Sequence, residues 1–279
     1  MKTALLQITS SDDPQQNLAV VKEQMARAVA DGAGYVLTPE VTNCVSGSRT
    51  YQTAVLKQEA EDETLAGLRD AAARHGIWLT IGSLALKTKD ADGRFANRQF
   101  LISPTGDIHA RYDKIHMFDV QVSETETYRE SAGYRPGEQA VVAETPFAKI
   151  GLSICYDLRF PQFFRKLAKA GAEVLMVPSA FSSVTGAVHW HPLLQARAIE
   201  TGCWVLAPAQ TGIHVASRGP QRKTYGHSLI ISPWGEILQD AGTDPGIIFI
   251  DLDREKVAEA RKRIPSLTHD KDFDGPERK

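Results

Sequence analysis

Three side chains far apart in the chain have types that complement one another: Cys155, Lys114 and Glu40. Cys155 ends the run Lys149-Ile150-Gly151-Leu152-Ser153-Ile154-Cys155, in which Ile150, Leu152 and Ile154 alternate with small or polar residues. That is the period of a half-buried strand. Asp157 and Arg159 follow, then Pro161 at a helix start. A cysteine between the carboxyl end of a strand and a helix sits where open α/β sheets present reactive groups, and the helix start favours its thiolate. A thiol needs a base or a positive field to act as a nucleophile. Glu40, after Tyr35-Val36-Leu37-Thr38-Pro39, could take its proton if an apolar site raised the pKa of the acid. Lys114, in Tyr112-Asp113-Lys114-Ile115-His116, could stabilise the oxygen that turns negative when a carbonyl is attacked. The trio suits acyl transfer from an amide. Each member also has an ordinary reading: a small buried thiol, a turn carboxylate, a surface lysine.

These residues need strands that end on one rim, and the pattern supplies them. Thr3 to Thr9, Tyr35 to Leu37, Ile77 to Leu86 and Arg98 to Ser103 read as strands. Leu18, Val21, Met25 and Val29 share one helical face, and a second helix spans Glu61 to His75 before Gly76. After Cys155 the alternation resumes. Helices are expected at 161–170, 189–201 and 254–264, and strands at 173–178, 203–209, 229–232, 236–238 and 246–252. Asn43 to Gln52 and Gln121 to Gly137 read as loops. One domain over 1–265 is expected, with 266–279 as a polar tail.

The 279 residues suffice for one large α/β domain. A net charge of −2 with no basic stripe argues against nucleic acid. No run of 18 apolar residues is present, so no membrane span is expected, and Met1 to Ile8 reads as the first strand rather than a leader. Three scattered cysteines (Cys44, Cys155, Cys203) do not form a disulfide framework, and a reducing cytoplasm is the simplest compartment.

The Pro39-Glu40, Tyr112-Asp113-Lys114-Ile115-His116 and Cys155-Tyr156-Asp157-Leu158-Arg159-Phe160-Pro161 boxes, in this order and separation, resemble the nitrilase superfamily of carbon–nitrogen hydrolases. Pro178-Ser179-Ala180-Phe181, His189-Trp190 with Ala196-Arg197-Ala198-Ile199-Glu200, and Tyr225-Gly226-His227-Ser228 extend the likeness toward the branch that contains deaminated glutathione amidase. The resemblance implies an α-β-β-α sandwich of two mixed sheets with outer helices, pairing into a homodimer or a higher even oligomer. It implies Glu40 as general base, Lys114 as oxyanion cation, Cys155 as nucleophile, Glu130 as the acid that anchors Lys114, and the Tyr156 N–H as second oxyanion donor. It also implies Asp157 and Arg159 as an ion pair holding the nucleophile turn. Gln162 stands where many relatives carry Glu.

The expected activity is hydrolysis of the terminal carboxamide of a small carboxylate-bearing metabolite through a thioester, with no metal or organic cofactor. Deaminated glutathione or a related α-keto ω-amide leads as substrate. An N-carbamoyl amino acid hydrolase, a general ω-amidase and a non-catalytic binding protein are the alternatives. Tyr51, Arg129 and Phe181 are expected to line the substrate pocket, with Arg129 or Arg135 available to a substrate carboxylate. His189-Trp190-His191, read at a helix start with no carboxylate at ligand spacing, is expected to pack or cap rather than hold a metal.

Overall fold

In β1 (Lys2–Gln7), Leu5 faces one apolar cluster while Ala4 and Leu6 face another; in β2 (Tyr35–Leu37), Tyr35 and Leu37 face the first and Val36 the second. A strand that is apolar on both faces belongs in a sheet covered on both sides. The structure, a computed structural model describing residues 1–122, 124 and 126–277, shows that arrangement twice. With β3 (Trp78–Lys87), β4 (Phe95–Ile102), β5 (Ile108–Asp113) and, from late in the chain, β16 (Gly246–Asp251), these strands form a sheet in the order β16-β1-β2-β3-β4-β5. The β1–β2 and β2–β3 pairs are parallel and the others antiparallel. The second sheet comprises β8 (Val142–Glu144), β9 (Lys149–Gly151), β10 (Val174–Met176), β11 (Trp204–Ala207), β14 (Leu229–Ile231) and β15 (Ile237–Asp240), in the order β15-β14-β11-β10-β9-β8. Its central pairs, β9–β10 and β10–β11, are again parallel.

The sheets pack face to face. Tyr35 spans the seam, with its hydroxyl 2.6 Å from Thr80 Oγ1 and 3.7 Å from the Met176 sulfur. Helices α1 (Pro14–Ala30) and α3 (Glu63–His75) cover the outside of the first sheet through Val21, Met25, Leu65 and Leu68. Helices α4 (Pro161–Lys169), α5 (Ser183–Thr201) and α6 (Glu255–Arg263) cover the second through Phe164, Leu167, Trp190, Leu194 and Val257. The expected α-β-β-α sandwich is therefore present. Its helix ends follow local chemistry. Asp13 and Asp62 accept backbone N–H bonds as N-caps, Pro161 opens α4, and Gly76 closes α3 at a φ of 64°. Each aspartate cap contributes about 1 kcal/mol.

Several expected boundaries move. The stretch 43–52 is not all loop: Ser48 caps α2 (Arg49–Val55). The stretch 121–137 contains the second strand of a hairpin, β6 (Asp119–Gln121) with β7 (Thr127–Arg129), and one turn of 3₁₀ helix at Glu130–Ala132; residues 123 and 125 of that stretch lie outside the described residues. Helix α5 starts at Ser183 rather than near His189. Its first turns, Ser183-Val184-Thr185-Gly186, are weak helix formers, and Gly186 is required because a Cβ there would meet the Tyr225 ring at 2.3 Å. A second hairpin, β12 (Thr211–His214) with β13 (Arg222–Tyr225), lies near α5 through the bridge between Ser182 and Thr224. The tail packs on the helices at its start: Arg165 donates to the Ser266 carbonyl at 2.9 Å, and Arg165 and Lys169 pair with Asp270. Its last residues, 278 and 279, lie outside the described residues.

Candidate active site

The carboxyl ends of the parallel strands meet where the two sheets face each other. Gly82 makes the approach possible: a Cβ there would lie 2.0 Å from the Thr38 carbonyl oxygen and 2.5 Å from Pro178 Cβ. Thr38 and Pro39 lead to Glu40 from the first sheet, and Pro178 accepts the Cys155 N–H at 3.0 Å from the second. Cys155 adopts a φ of 46° and Val41, next to Glu40, a φ of 47°. Backbone held left-handed at non-glycine residues costs on the order of 1–3 kcal/mol each and persists only where its surroundings enforce it.

Those surroundings are the motif boxes themselves. Asp157 is fully buried and accepts bonds from Tyr112 Oη (2.7 Å), His116 Nδ1 (2.7 Å), His116 N (3.1 Å) and Ile154 N (2.8 Å). Tyr112 and His116 flank Lys114, so one carboxylate ties the lysine segment to the cysteine turn. The expected Asp157–Arg159 ion pair is absent among the described residues. A tyrosine hydroxyl, an imidazole and two backbone N–H groups occupy Asp157, while Arg159 reaches out to His189 Nδ1 at 3.2 Å and lies against the Tyr156 and Phe181 rings.

Lys114 is 2 % exposed and its ammonium sits between two acids. Nζ is 2.9 Å from Glu40 Oε1 and 2.9 Å from both oxygens of Glu130. Glu130 Oε2 also accepts from the Phe118 N–H at 2.6 Å. Glu40 accepts from Asn97 Nδ2 at 2.9 Å and, through Oε2, from the Ala180 N–H at 2.8 Å. Burial alone raises the Glu40 pKa, but the Lys114 ammonium and the Arg222 guanidinium outweigh it and hold the acid below the usual carboxylate range. The expectation of a raised Glu40 is thus corrected: an apolar site has that effect only on a carboxylate without cations nearby. Burial lowers the Lys114 pKa, yet the facing Glu130 and Glu40 carboxylates lift it well above the usual value. Burial pushes the Cys155 thiol up, and Glu40 adds to this while Lys114 opposes it. At rest the group is therefore a thiol, a carboxylate and an ammonium. The Tyr156 N–H, second in the 3₁₀ turn that begins at Cys155, has no partner among the described residues.

These groups open into a cavity of 660 Å³, within the range that holds small metabolites. Its lining includes Glu40, Lys114, Glu130, Cys155, Tyr156 and Phe181, with Arg129 exposed at the rim. Tyr51 does not line it, because α2 presents the neighbouring Gln52 instead. Arg135 is turned away to Asp90 (3.0 Å) and Asp113 (3.7 Å) and lines a separate cavity. Asn97 escaped the sequence reading; Ala180 was quoted only as part of the Pro178-Ser179-Ala180-Phe181 box and Arg222 only within the segment 211–225 expected to shape the pocket, neither with a role. A polar residue inside the apolar strand pattern Phe95-Ala96-Asn97 was the available signal for the first; no spacing rule says that the Ala180 N–H or Arg222 acts on Glu40.

A second titratable cluster lies outside this cavity. His191 falls inside α5 rather than at a helix start, and β15 brings Asp240 within 3.1 Å of its Nε2. Asp240 also accepts from His227 Nδ1 (2.9 Å) and the Gly242 N–H (2.8 Å). The carboxylate missing from the local spacing is supplied by a distant strand, and hydrogen bonds within the protein satisfy it.

The carbon–nitrogen hydrolase family model matches residues 2–262. The chain is 40 % identical over 270 residues to a deaminated glutathione amidase from Synechocystis sp., covering 95 % of this chain and 96 % of that one. It is 36 % identical over 269 residues to the enzyme of that name from Yersinia enterocolitica, covering 96 % and 92 %. Among solved structures, the C. elegans NitFhit protein superposes with a TM-score of 0.88 at 33 % identity over 96 % of this chain; the chain spans only 64 % of that longer protein. An amidase from Nesterenkonia sp., captured as a mutant with acrylamide added to its active-site cysteine, gives a TM-score of 0.77 at 28 % identity, covering 95 % and 98 %.

Proposed function

Since the chain belongs to the carbon–nitrogen hydrolase family and acts on amides, we propose that Cys155 is its nucleophile, Glu40 its general base and acid, Lys114 and the Tyr156 N–H its oxyanion donors, and Glu130 the anchor of Lys114. The observation that carries this reading is the buried ammonium held between two carboxylates beside a strained cysteine at the floor of the cavity. With the thiol pushed up and the carboxylate held down, proton transfer in the resting enzyme is unfavourable. It becomes favourable as sulfur attacks the amide carbon and negative charge passes to the carbonyl oxygen, where Lys114 and the Tyr156 N–H meet it. Glu40 then gives the proton to the departing nitrogen, releasing ammonia from a primary amide or an amine from a substituted one. A thioester remains; Glu40 takes a proton from a water whose oxygen bonds to the acyl carbon, the carbon–sulfur bond breaks, Glu40 returns the proton to the Cys155 sulfur, and the free acid leaves.

The reading extends to an amide of a small carboxylate-bearing metabolite, with deaminated glutathione first because relatives of that name match along nearly the whole chain. A cytoplasmic homodimer or higher even oligomer, working without a cofactor, completes the proposal; the exposed apolar residues Val184, Val188 and Ile199 of α5 support pairing through that helix. No described helix is long and apolar enough to cross a membrane. The test is release of ammonia or amine from a panel of α-keto ω-amides, deaminated glutathione, carbamoyl amino acids and nitriles, with mass spectrometry of the acylated protein. Fast cleavage of α-keto amides with an acyl group on Cys155 is the expected result. Cleavage of carbamoyl amino acids alone would move the assignment to that activity, and no cleavage with no adduct would leave a binding protein.

A further inference from the structure

Two imidazoles and one carboxylate, brought from three elements, converge on the outer face of the second sheet. His191 lies in α5, His227 stands between β13 and β14, and Asp240 closes β15. His191 Nε2 is 3.1 Å from Asp240 Oδ2, His227 Nδ1 is 2.9 Å from Asp240 Oδ1, and one donor atom of each residue lies within 4.8 Å of the other two. None of the three lines the cavity that holds Cys155. Among the described residues no lysine or arginine pairs with Asp240; its ionic partners are the two histidines.

Such a donor set suits late first-row divalent cations: imidazole nitrogen favours zinc, cobalt, nickel and copper, the carboxylate offsets part of the charge, and three protein ligands leave a position for water. Bonds of about 2.0–2.2 Å to zinc put tetrahedral ligands about 3.4 Å apart, a spacing these three atoms approach with small side-chain rotations. Each ring holds its proton on the nitrogen that faces the carboxylate. A cation entering there displaces that proton to the other nitrogen of the same ring by way of water, and the freed lone pair binds the metal. The surroundings supply orientation and access. The Gly242 N–H bonds Asp240 Oδ1 at 2.8 Å and the Gly242 carbonyl accepts the His227 N–H at 2.6 Å, so one residue orients two ligands. Trp190 Nε1, from α5, donates to the His227 carbonyl at 2.7 Å. These bonds hold His227 at a φ of 54°, which a non-glycine residue keeps only where its surroundings enforce it. The Tyr225 ring stacks on His227, with centroids 4.5 Å apart, and meets His191 edge-on. The side chains of His191, His227 and Asp240 are 28 %, 23 % and 33 % exposed, which leaves a path for an ion and its water.

We propose that His191 Nε2, His227 Nδ1 and Asp240 form a binding site for one zinc-like divalent cation per chain, separate from the amidase centre. The ion ties α5 to the end of β15 and to the turn before β14. It binds the folded chain, so stability rises with free metal. No step of amide cleavage passes through it, and the site stands whether or not Cys155 cleaves amides. The local spacing around His191 gives no sign of it, since Asp240 lies 49 positions further on.

The experiment uses the full chain, stripped of metal with EDTA and dialysed. Calorimetric titration with Zn²⁺, and with Mg²⁺ as the oxygen-seeking control, is run on wild type, Cys155→Ala, His191→Ala and Asp240→Asn. Urea midpoints are read with and without Zn²⁺. Wild type and Cys155→Ala should bind one equivalent of Zn²⁺, gain stability from it and ignore Mg²⁺. His191→Ala and Asp240→Asn should match wild type in urea without metal, yet bind Zn²⁺ at least about 10-fold more weakly, since loss of an outer partner already costs that much. His191→Gln replaces a variant whose midpoint without metal departs from wild type. The visible spectrum of Co²⁺ bound to wild type should lose its intensity in the ligand variants. Absence of Zn²⁺ binding by wild type would overturn the proposal. So would a smaller loss of affinity in either ligand variant, or a loss of binding in Cys155→Ala, which would place the ion at the thiol.

Discussion

Two clusters in this protein gather titratable groups from distant segments, and they differ in what surrounds them. Glu40, Lys114, Glu130 and Cys155 lie between the sheets, with Glu40 and Lys114 almost wholly buried, and the cysteine stands on left-handed backbone. His191, His227 and Asp240 meet on the outer face of the second sheet, partly in water. At the first cluster burial and charge act on each other. The ammonium of Lys114 holds Glu40 ionised against the pull of desolvation, and the thiol of Cys155 stays protonated beside it. At the second, Asp240 is lowered against its partial burial by the Gly242 N–H and the two imidazoles, with water close by to screen the charges. His227 also has a positive φ, of 54°, so backbone strain alone does not separate the two. Convergence of reactive residue types is common to both; the first adds deep burial of Glu40 and Lys114 and an adjoining cavity, while the second is partly exposed.

The contrast can be broken at Cys155, at Lys114 and in the outer cluster. Cys155→Ala should abolish amide turnover by this route, measured as amine or ammonia release. Lys114→Met should lower kcat/KM by about 10²–10³-fold, the loss of one oxyanion donor. The same variant should move the acid limb of the pH profile. In wild type Glu40 is held below 4.5, so activity and the stability supplied by the Glu40–Lys114 pair persist as pH falls to that region and are lost below it. Without the ammonium, burial raises Glu40 and the limb should shift upward; an unmoved limb would break the coupling.

His214 tests a buried group outside both clusters. Burial lowers its pKa from 6.5 to about 4, so the folded protein keeps it neutral while the unfolded chain protonates it. Its contribution is complete above 6.5 and is lost as pH falls toward 4, about 3 kcal/mol in all. Urea midpoints of wild type and His214→Gln should converge over that window. The smallest effect belongs to the outer cluster: His191→Ala or Asp240→Asn should change stability by less than about 1 kcal/mol and leave amide turnover unchanged. A loss of turnover there would erase the distinction between the two regions.

Much of the site was legible because motif residues lie at strand ends, and strand ends can be found from alternation. The thiol, the lysine and Glu40 were named from the boxes in which they stand and Glu130 from the resemblance, and the structure brings them together. The errors share a cause. Arg135 and Tyr51 were assigned to the pocket from their loops, but the direction of a side chain on a loop depends on what packs beneath it. Arg135 finds Asp90 and Asp113, and α2 turns Gln52 inward in place of Tyr51. The expected Asp157–Arg159 pair failed because Tyr112 and His116, over forty positions earlier in the chain, occupy the carboxylate.

Read alone, the amino-acid order determined the alternation of strands and helices, the helix ends at Gly76 and Pro161 and the motif boxes, which are local in the chain; the two-layer sandwich and the roles of the reacting groups came from the resemblance those boxes carry. The charge state of Glu40, the clamp of Asp157 on the lysine segment and the approach of Arg222 to Ala180 and Glu40 were decided only when the sheets closed on each other. Desolvation and charge pairing depend on distance through space, and no spacing along a chain encodes that distance.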